Sequence, residues 1–217
     1  MEKLVRGFLK FRGEVFGKKK ALFTRLSQSQ APRALFITCS DSRVDPTLLT
    51  QTDPGELFIL RNAGNIVPPY GSMQGGTTAT IEYAVAVLQV PHIIVCGHTD
   101  CGVMKALLNP EEVQNLLAVK EWVGQVETTR RLMRELYTDI KGNDRLIKTI
   151  QENVRVQLEH LRTHPAVALQ LRKGNVELHG WVYSISTGDV WVYDFNSQEF
   201  VSLYEQAASR LMYADQL

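Results

Sequence analysis

The sequence predicts an α/β protein with a mainly parallel central sheet, flanking helices, a C-terminal antiparallel edge hairpin and an N-terminal helical arm. Three observations carry that prediction. Short apolar runs alternate with segments of helical period between residues 34 and 98. Two β-rich runs flank Thr187-Gly188-Asp189, a hairpin signal. Near the start, Leu4, Val5, Phe8, Phe11, Val15 and Phe16 recur close to the helical period.

Each element has its own signal. A second amphipathic piece, Ala21 to Leu26, follows Gly17, and Gln30-Ala31-Pro32 breaks it. Ala34-Leu35-Phe36-Ile37-Thr38 is a short apolar run, read as a buried strand that delivers Cys39 at its C-terminal end. Asp45-Pro46 reads as a helix start, with Asp45 as N-cap and Pro46 in the first turn. Pro54-Gly55 is a turn before the strand Leu57-Phe58-Ile59-Leu60, and residues 64–76 form a Gly- and Pro-rich loop. Thr77 to Gln89 reads as a helix ended by Pro91, with Ala79, Tyr83, Ala86 and Val87 as inward candidates. The strand His92-Ile93-Ile94-Val95-Cys96 then leads to Gly97-His98. Pro110 to Tyr137 and Asn143 to Leu161 are helical in pattern. In the second, Leu146, Ile150, Val154, Leu158 and Leu161 make a stripe suited to the core or a subunit contact, and Pro165 then interrupts. Val176 to Ser186 and Val190 to Phe195 add the hairpin strands. No internal repeat, low-complexity tract or long linker divides the 217 residues, which predicts one domain. Within it, 1–30 is the arm, 31–200 the metal-binding α/β core and 201–217 a tail.

Composition excludes several classes of partner. Lys and Arg number 24 against 23 Asp and Glu, so neither nucleic acid nor an anionic membrane has an electrostatic case. Lys18-Lys19-Lys20 reads as a solvated helix start. No run approaches the ~20 apolar residues of a membrane span. The N-terminus lacks the apolar core of a secretory signal, and Glu2 and Glu14 argue against a transit peptide. A cytoplasmic location is expected, with a thiol or metal role for the three cysteines rather than a disulfide framework.

Cys39 and His98 both fall at carboxyl ends of strands, where α/β sheets gather their functional groups. In His98-Thr99-Asp100-Cys101 the spacing lets two side chains from one turn reach a common ion. Two thiolates and an imidazole suit zinc, and three protein ligands leave the open position of a catalytic site. One Zn2+ per chain on Cys39, His98 and Cys101 is the expectation. Asp41 and Arg43, in Cys39-Ser40-Asp41-Ser42-Arg43, stand close enough to act on whatever fills that position. A lone strand-end cysteine is more often a small buried hydrophobe, but Cys-x-Asp-x-Arg joined to His-x-x-Cys-Gly is a narrower pattern. Cys96 reads as a packed thiol. His92, His160, His164 and His179 lack a partner motif and read as surface or satisfied core histidines, His179 above all as structural.

The two motifs resemble those of the beta-class carbonic anhydrases. So do Pro54-Gly55-Glu56-Leu57-Phe58, Arg61-Asn62-Ala63-Gly64-Asn65, Glu82-Tyr83-Ala84-Val85 and Leu178-His179-Gly180-Trp181. The resemblance implies zinc on the three ligands, a catalytic Asp41–Arg43 dyad, and an apolar substrate pocket at a dimer interface. It implies that Gln30, from the neighbouring subunit, binds substrate. Phe58, Ala63, Val67 and Tyr83 would line the pocket, and Gly102 would offer a backbone N–H. Phe36 stands where bicarbonate-switched members carry tryptophan, which implies the constitutively active kind. Val103 replaces a second glycine found in many members. Further similarity is to cyanobacterial carboxysomal members, through Arg33-Ala34-Leu35-Phe36-Ile37, Ser42-Arg43-Val44-Asp45-Pro46 and Asn62 to Gly71. Those often carry a long C-terminal extension, whereas this chain stops at Leu217. The partners implied are CO2 and bicarbonate, further copies of the chain in a homodimer or larger oligomer, and carboxysome scaffold proteins. The implied location is the cytoplasm or the carboxysome.

The implied reaction is reversible hydration of CO2 to bicarbonate and a proton by a zinc-bound hydroxide. Two thiolates soften the ion's pull on water, so activity is expected to rise through about pH 7 to 8.5. No histidine marks a proton shuttle. Two rivals share the scaffold: a CS2 or COS hydrolase, and a zinc-holding structural shell subunit. A Cys2His dehydrogenase is a third, but no Gly-x-Gly-x-x-Gly follows a strand.

Overall fold

The computed structural model describes residues 1–73 and 75–214, with the backbone alone over 209–214. Six strands, β1 (Ala34–Cys39), β2 (Leu57–Asn62), β3 (His92–His98), β4 (Glu177–Tyr183), β5 (Val190–Asp194) and β6 (Glu199–Ser202), form one sheet in the order β2-β1-β3-β4-β5-β6. The first four in that order run parallel, and β5 and β6 complete the sheet antiparallel. The mainly parallel sheet with an antiparallel edge is therefore as the sequence predicts. β1 is buried along its whole length and β3 at all but its first residue, as expected of central parallel strands covered on both faces.

Pairing fixes where the strands end. Thr38 pairs with Cys96, so β1 and β3 finish side by side with Cys39 and His98 at their tips. The turn after β1 enters helix Pro46–Thr50, where the Asp45 carboxylate accepts from the N–H groups of Thr47 and Leu48 at 3.0 and 3.1 Å. Helix Gly142–Thr163 buries the stripe Leu146, Ile150, Val154, Leu158 and Leu161 against the sheet. Two glycines permit its close approach. A Cβ on Gly97 would stand 3.0 Å from both Ile150 and Val154, and one on Gly180 would stand 2.9 Å from Leu158 and Val154.

Several elements differ from expectation. The helix after β2 spans Gly76–Glu82 and continues as a widened turn over Tyr83–Val87. Its buried residues are Thr78, Ile81, Ala84 and Val85; Ala79, Tyr83, Ala86 and Val87 are exposed. Both faces are apolar, so periodicity alone picked the wrong one. Left-handed Gln89 (φ 53°) follows the end of this helix, ahead of Pro91. Residues 110–137 are helical as read, in three short pieces, Pro110–Val113, Leu117–Gly124 and Glu127–Glu135. Gly102–Leu108 and β6 carried no recognised signal, and Pro165 opens helix Pro165–Arg172 at its first turn. In the tail, 201–202 belong to β6 and Leu203–Ala214 is helical, while 215–217 lie outside the described residues.

The arm is helical over Glu2–Lys10, Phe11–Val15, Phe16–Lys18 and Lys20–Leu26, and buries no side chain within one chain. Among the described residues no helix is long and apolar enough to cross a membrane.

The contact at Gly180 generates a test. Gly180→Ala forces β4 and helix Gly142–Thr163 apart and is expected to destabilise the fold by about 1–3 kcal/mol. Urea denaturation measures this, and an unchanged midpoint would contradict the packing described.

Candidate active site

β1 ends on Cys39 and β3 on His98. The chain then turns through Asp100, held at φ 61°, and Cys101 opens helix Gly102–Leu108. These local shapes bring two sulfurs and a ring nitrogen within 4.8 Å of one another, all buried. The Nδ1–H of His98 donates to the Thr99 carbonyl at 2.9 Å. Only a protonated Nδ1 can make that bond, which leaves Nε2 as the ring nitrogen that can face a cation. Nε2 is buried without a hydrogen-bond partner, like Asn65 Nδ2 and Thr129 Oγ1 among the described residues. Leaving such a group unsatisfied costs about 1–3 kcal/mol. A soft or borderline cation would satisfy this nitrogen and both sulfurs together, so the residues fit a metal ion.

The sulfurs are electrostatically unequal without that cation. The Cys101 thiol, His98 and the Gly64 N–H (3.3 Å away) favour the Cys39 thiolate, and against the opposing effect of burial they bring its pKa down to about 4. The adjacent Cys39 charge and burial push Cys101 the other way, while the Val103 and Met104 N–H groups partly favour its thiolate. Gly64 is specific to its place: it sits at φ 82°, and a Cβ there would lie 2.8 Å from Val103. Cys96 stands apart as a free, buried thiol raised to about 12 by burial.

Asp41 lies beside the cluster, with Oδ2 3.9 Å from His98 Nε2. Arg43 grips it with two parallel bonds, Nε to Oδ1 at 2.9 Å and Nη2 to Oδ2 at 2.8 Å, and its backbone N–H also donates to Oδ1. These donors hold the Asp41 carboxyl well below the usual carboxylate range, against a smaller opposing effect of burial. Arg43 is itself fixed from the far side by Asp100 Oδ2 at 2.9 Å, and Lys105 pairs with the same Asp100 carboxylate. Arg61 donates to the carbonyls of Cys39, Asp41 and Val44 and so pins the loop that carries the dyad. Asp100, Lys105, Arg61 and Gly64 escaped sequence reasoning as supporting residues. Asp100, Arg61 and Gly64 stood inside quoted motifs, which was the available signal; Lys105 had none.

The remaining candidates divide. Gly102 opens the helix beside Cys101. Phe58 and Tyr83 lie together, ring centroids 6.0 Å apart, with Tyr83 46% exposed. Ala63 is exposed and its carbonyl accepts the Trp122 indole N–H at 2.7 Å. Val67 is a correction: it is fully buried in the main core, its N–H bound to Gln157 at 2.8 Å, and lines no opening. Gln30 precedes β1, so a strand of about 17 Å separates it from Cys39 within one chain. His160 and His164 are satisfied by the Val67 and Pro68 carbonyls at 2.7 and 3.1 Å, as core histidines should be. His92 and His179 are not solitary, since they meet each other and Glu177. That grouping arises from strand pairing between distant segments, which no local motif records.

A family model described as carbonic anhydrase matches residues 34–190. A carbonic anhydrase of Pseudomonas aeruginosa is 48% identical over 97% of this chain and 95% of its own length. One from Synechocystis sp. is 46% identical over 93% of this chain and 74% of its own. The solved structure of the beta-carbonic anhydrase CcaA superposes with a TM-score of 0.91 at 46% identity, covering 93% of this chain and 98% of that one. The chain belongs to the carbonic anhydrase family, in its beta class, and is an enzyme of that kind, with the reversible hydration of CO2 as the family's reaction.

The Asp41–Arg43 pair predicts a pH dependence of stability. The unfolded carboxyl titrates near pH 3.9, and the folded one is depressed. The pair therefore stabilises the fold above about pH 4, and this contribution is lost as pH falls through the folded value. In denaturant titrations between pH 5 and 3, wild type should lose more stability than Asp41→Asn. Equal losses would contradict the ion pair's contribution.

Proposed function

We propose that Cys39, His98 and Cys101 hold one zinc ion per chain and that Asp41 and Arg43 direct the hydration of CO2 beside it. The observation that carries this reading is the buried, unpartnered Nε2 of His98, facing two sulfurs and a carboxylate that arginine pins in place. When bound, zinc supplies a Lewis acid that acidifies a water at its open position.

The chain's own residues supply the rest of the mechanism. Asp41 stays ionised throughout the neutral range, so it can only accept a hydrogen bond. It takes one from the attacking water and turns that water's lone pair toward the carbon of CO2. The bidentate Arg43 grip fixes the carboxylate's plane and opposes its swinging in as a fourth ligand. The Gly102 N–H and the Gln30 amide of a second copy stabilise the oxygen that gains charge. Phe58, Tyr83 and Ala63 offer an apolar wall to an uncharged substrate. The proton leaves to water or buffer.

Two features support a homodimer or larger oligomer. Gln30 needs another copy to meet the site, and the arm exposes Leu4, Phe8 and Leu9 as an unpartnered apolar face. A solved relative from Sordaria macrospora, 31% identical with a TM-score of 0.79, is described as tetrameric. Carboxysome scaffold partners and a carboxysomal location rest on the cyanobacterial resemblance alone. The Pseudomonas aeruginosa relative is equally similar, so resemblance does not select that location. The intact dyad weighs against a purely structural shell subunit, and no observation favours CS2 or COS.

Stopped-flow CO2 hydration with metal analysis tests the reading. Asp41→Asn should keep about one zinc per chain and lower kcat on the order of 10²-fold, whereas Cys39→Ser should lose the metal. Full activity in zinc-loaded Asp41→Asn would remove Asp41 from the mechanism. Independently, Leu4→Glu combined with Phe8→Glu should shift sedimentation toward monomer and reduce hydration in parallel. A fully active monomer would refute the contribution of a second copy.

A further inference from the structure

A second group of ligating atoms lies at the opposite end of the same strands. β3 begins at His92 and β4 at Glu177, and these two residues pair in parallel register, with His179 opposite Ile94. Alternation along a strand then puts His92, Glu177 and His179 on one face. Their tips converge. His92 Nδ1 lies 3.2 Å from His179 Nε2, and Glu177 Oε2 lies 3.8 Å from the first nitrogen and 3.9 Å from the second. The rings meet edge to face with centroids 5.2 Å apart.

A hydrogen bond between two neutral imidazoles explains the short contact but not the carboxylate. Its oxygen is beyond hydrogen-bond reach of both nitrogens yet nearly equidistant from them. Three donors disposed in this way surround a point rather than make a pair. A tetrahedral zinc with bonds of 2.0–2.2 Å separates its ligand atoms by roughly 3.3–3.5 Å, so an ion needs only a small inward turn of Glu177. That carboxylate side chain is 71% exposed and free to turn, and both rings are partly exposed, so an ion can enter and water can complete its shell. Burial and the neighbouring His92 ring hold the His179 imidazole below its usual range, which keeps its lone pair available at neutral pH.

We propose that His92, Glu177 and His179 form a second metal site, which takes a divalent transition-metal ion of borderline softness, zinc foremost. Two imidazoles and one carboxylate suit such ions better than magnesium or calcium, which prefer shells of oxygen. Six residue steps along β3, about 20 Å, separate His92 from His98, so this ion touches none of the Cys39, His98 and Cys101 side chains. It ties the starts of β3 and β4 together and stabilises the folded chain by mass action. The site stands whatever the chemistry at the other end of the sheet.

The test uses tag-free protein already carrying one zinc per chain. It is dialysed against a series of buffered free zinc concentrations, and bound metal is counted by mass spectrometry. Wild type should take up a second equivalent and show a rise in Tm with it. His92→Gln and Glu177→Gln should lose that equivalent and the added Tm while keeping the first zinc and wild-type CO2 hydration. His160→Gln, outside the cluster, should behave as wild type. Glu177 is largely exposed, so its variant stays informative even if a histidine variant folds poorly. Failure of wild type to bind a second zinc, or undiminished binding by Glu177→Gln and His92→Gln, overturns the proposal.

Discussion

One constraint organises the molecule: two sulfurs and an imidazole nitrogen are buried together, and the nitrogen has no hydrogen-bond partner. In the absence of a cation, the charge that settles on Cys39 suppresses ionisation of Cys101. A divalent ion removes that conflict by favouring both thiolates at once. Binding of a metal here would release protons and couple to folding, because the three side chains come from chain segments separated by more than fifty residues. The parallel pairing of β1 with β3 holds the two strand tips adjacent, and the left-handed turn at Asp100 brings Cys101 back toward them.

The scaffold behind the cluster is arranged to keep those tips still. Helix Gly142–Thr163 lies so close on β3 and β4 that a Cβ at 97 or 180 would crowd Ile150, Val154 and Leu158. The same helix sends Asn153 to the Gly64 carbonyl at 3.1 Å and Gln157 to the Val67 N–H. Gly64 in turn points its own N–H at the Cys39 sulfur. A buried polar ladder thus runs from the helix to the Cys39 sulfur. Buried, satisfied bonds of this kind fix geometry more firmly than exposed ones.

Charge at the rim is organised as a chain: Asp41, Arg43, Asp100 and Lys105 alternate in sign. Arg43 and Asp100 are substantially exposed, so their contribution to stability is modest. Their effect is directional. A guanidinium held from both sides presents a fixed fork, and the fork orients the Asp41 carboxylate. Asp100 is therefore a positioning group twice over, through its backbone turn and through its side chain.

The sequence by itself determined the strand tips, the grouping of Cys39 and Cys101 with His98, and the Asp41–Arg43 pair, because each is encoded locally. An apolar run ends on Cys39, a second ends on His98, and three residues later comes Cys101. The Asp45 cap and the stripe of helix Gly142–Thr163 were legible for the same reason, since capping and periodicity are short-range properties. Tertiary structure alone decided which apolar face of the helix carrying Tyr83 turns inward, because both faces have the composition of a core. It alone assigned Val67 to the interior, brought Arg61 to three carbonyls, and set His92 against His179 across 87 residues. Those outcomes follow from strand register and helix packing, which depend on the whole chain closing around one core, and no window of sequence contains them.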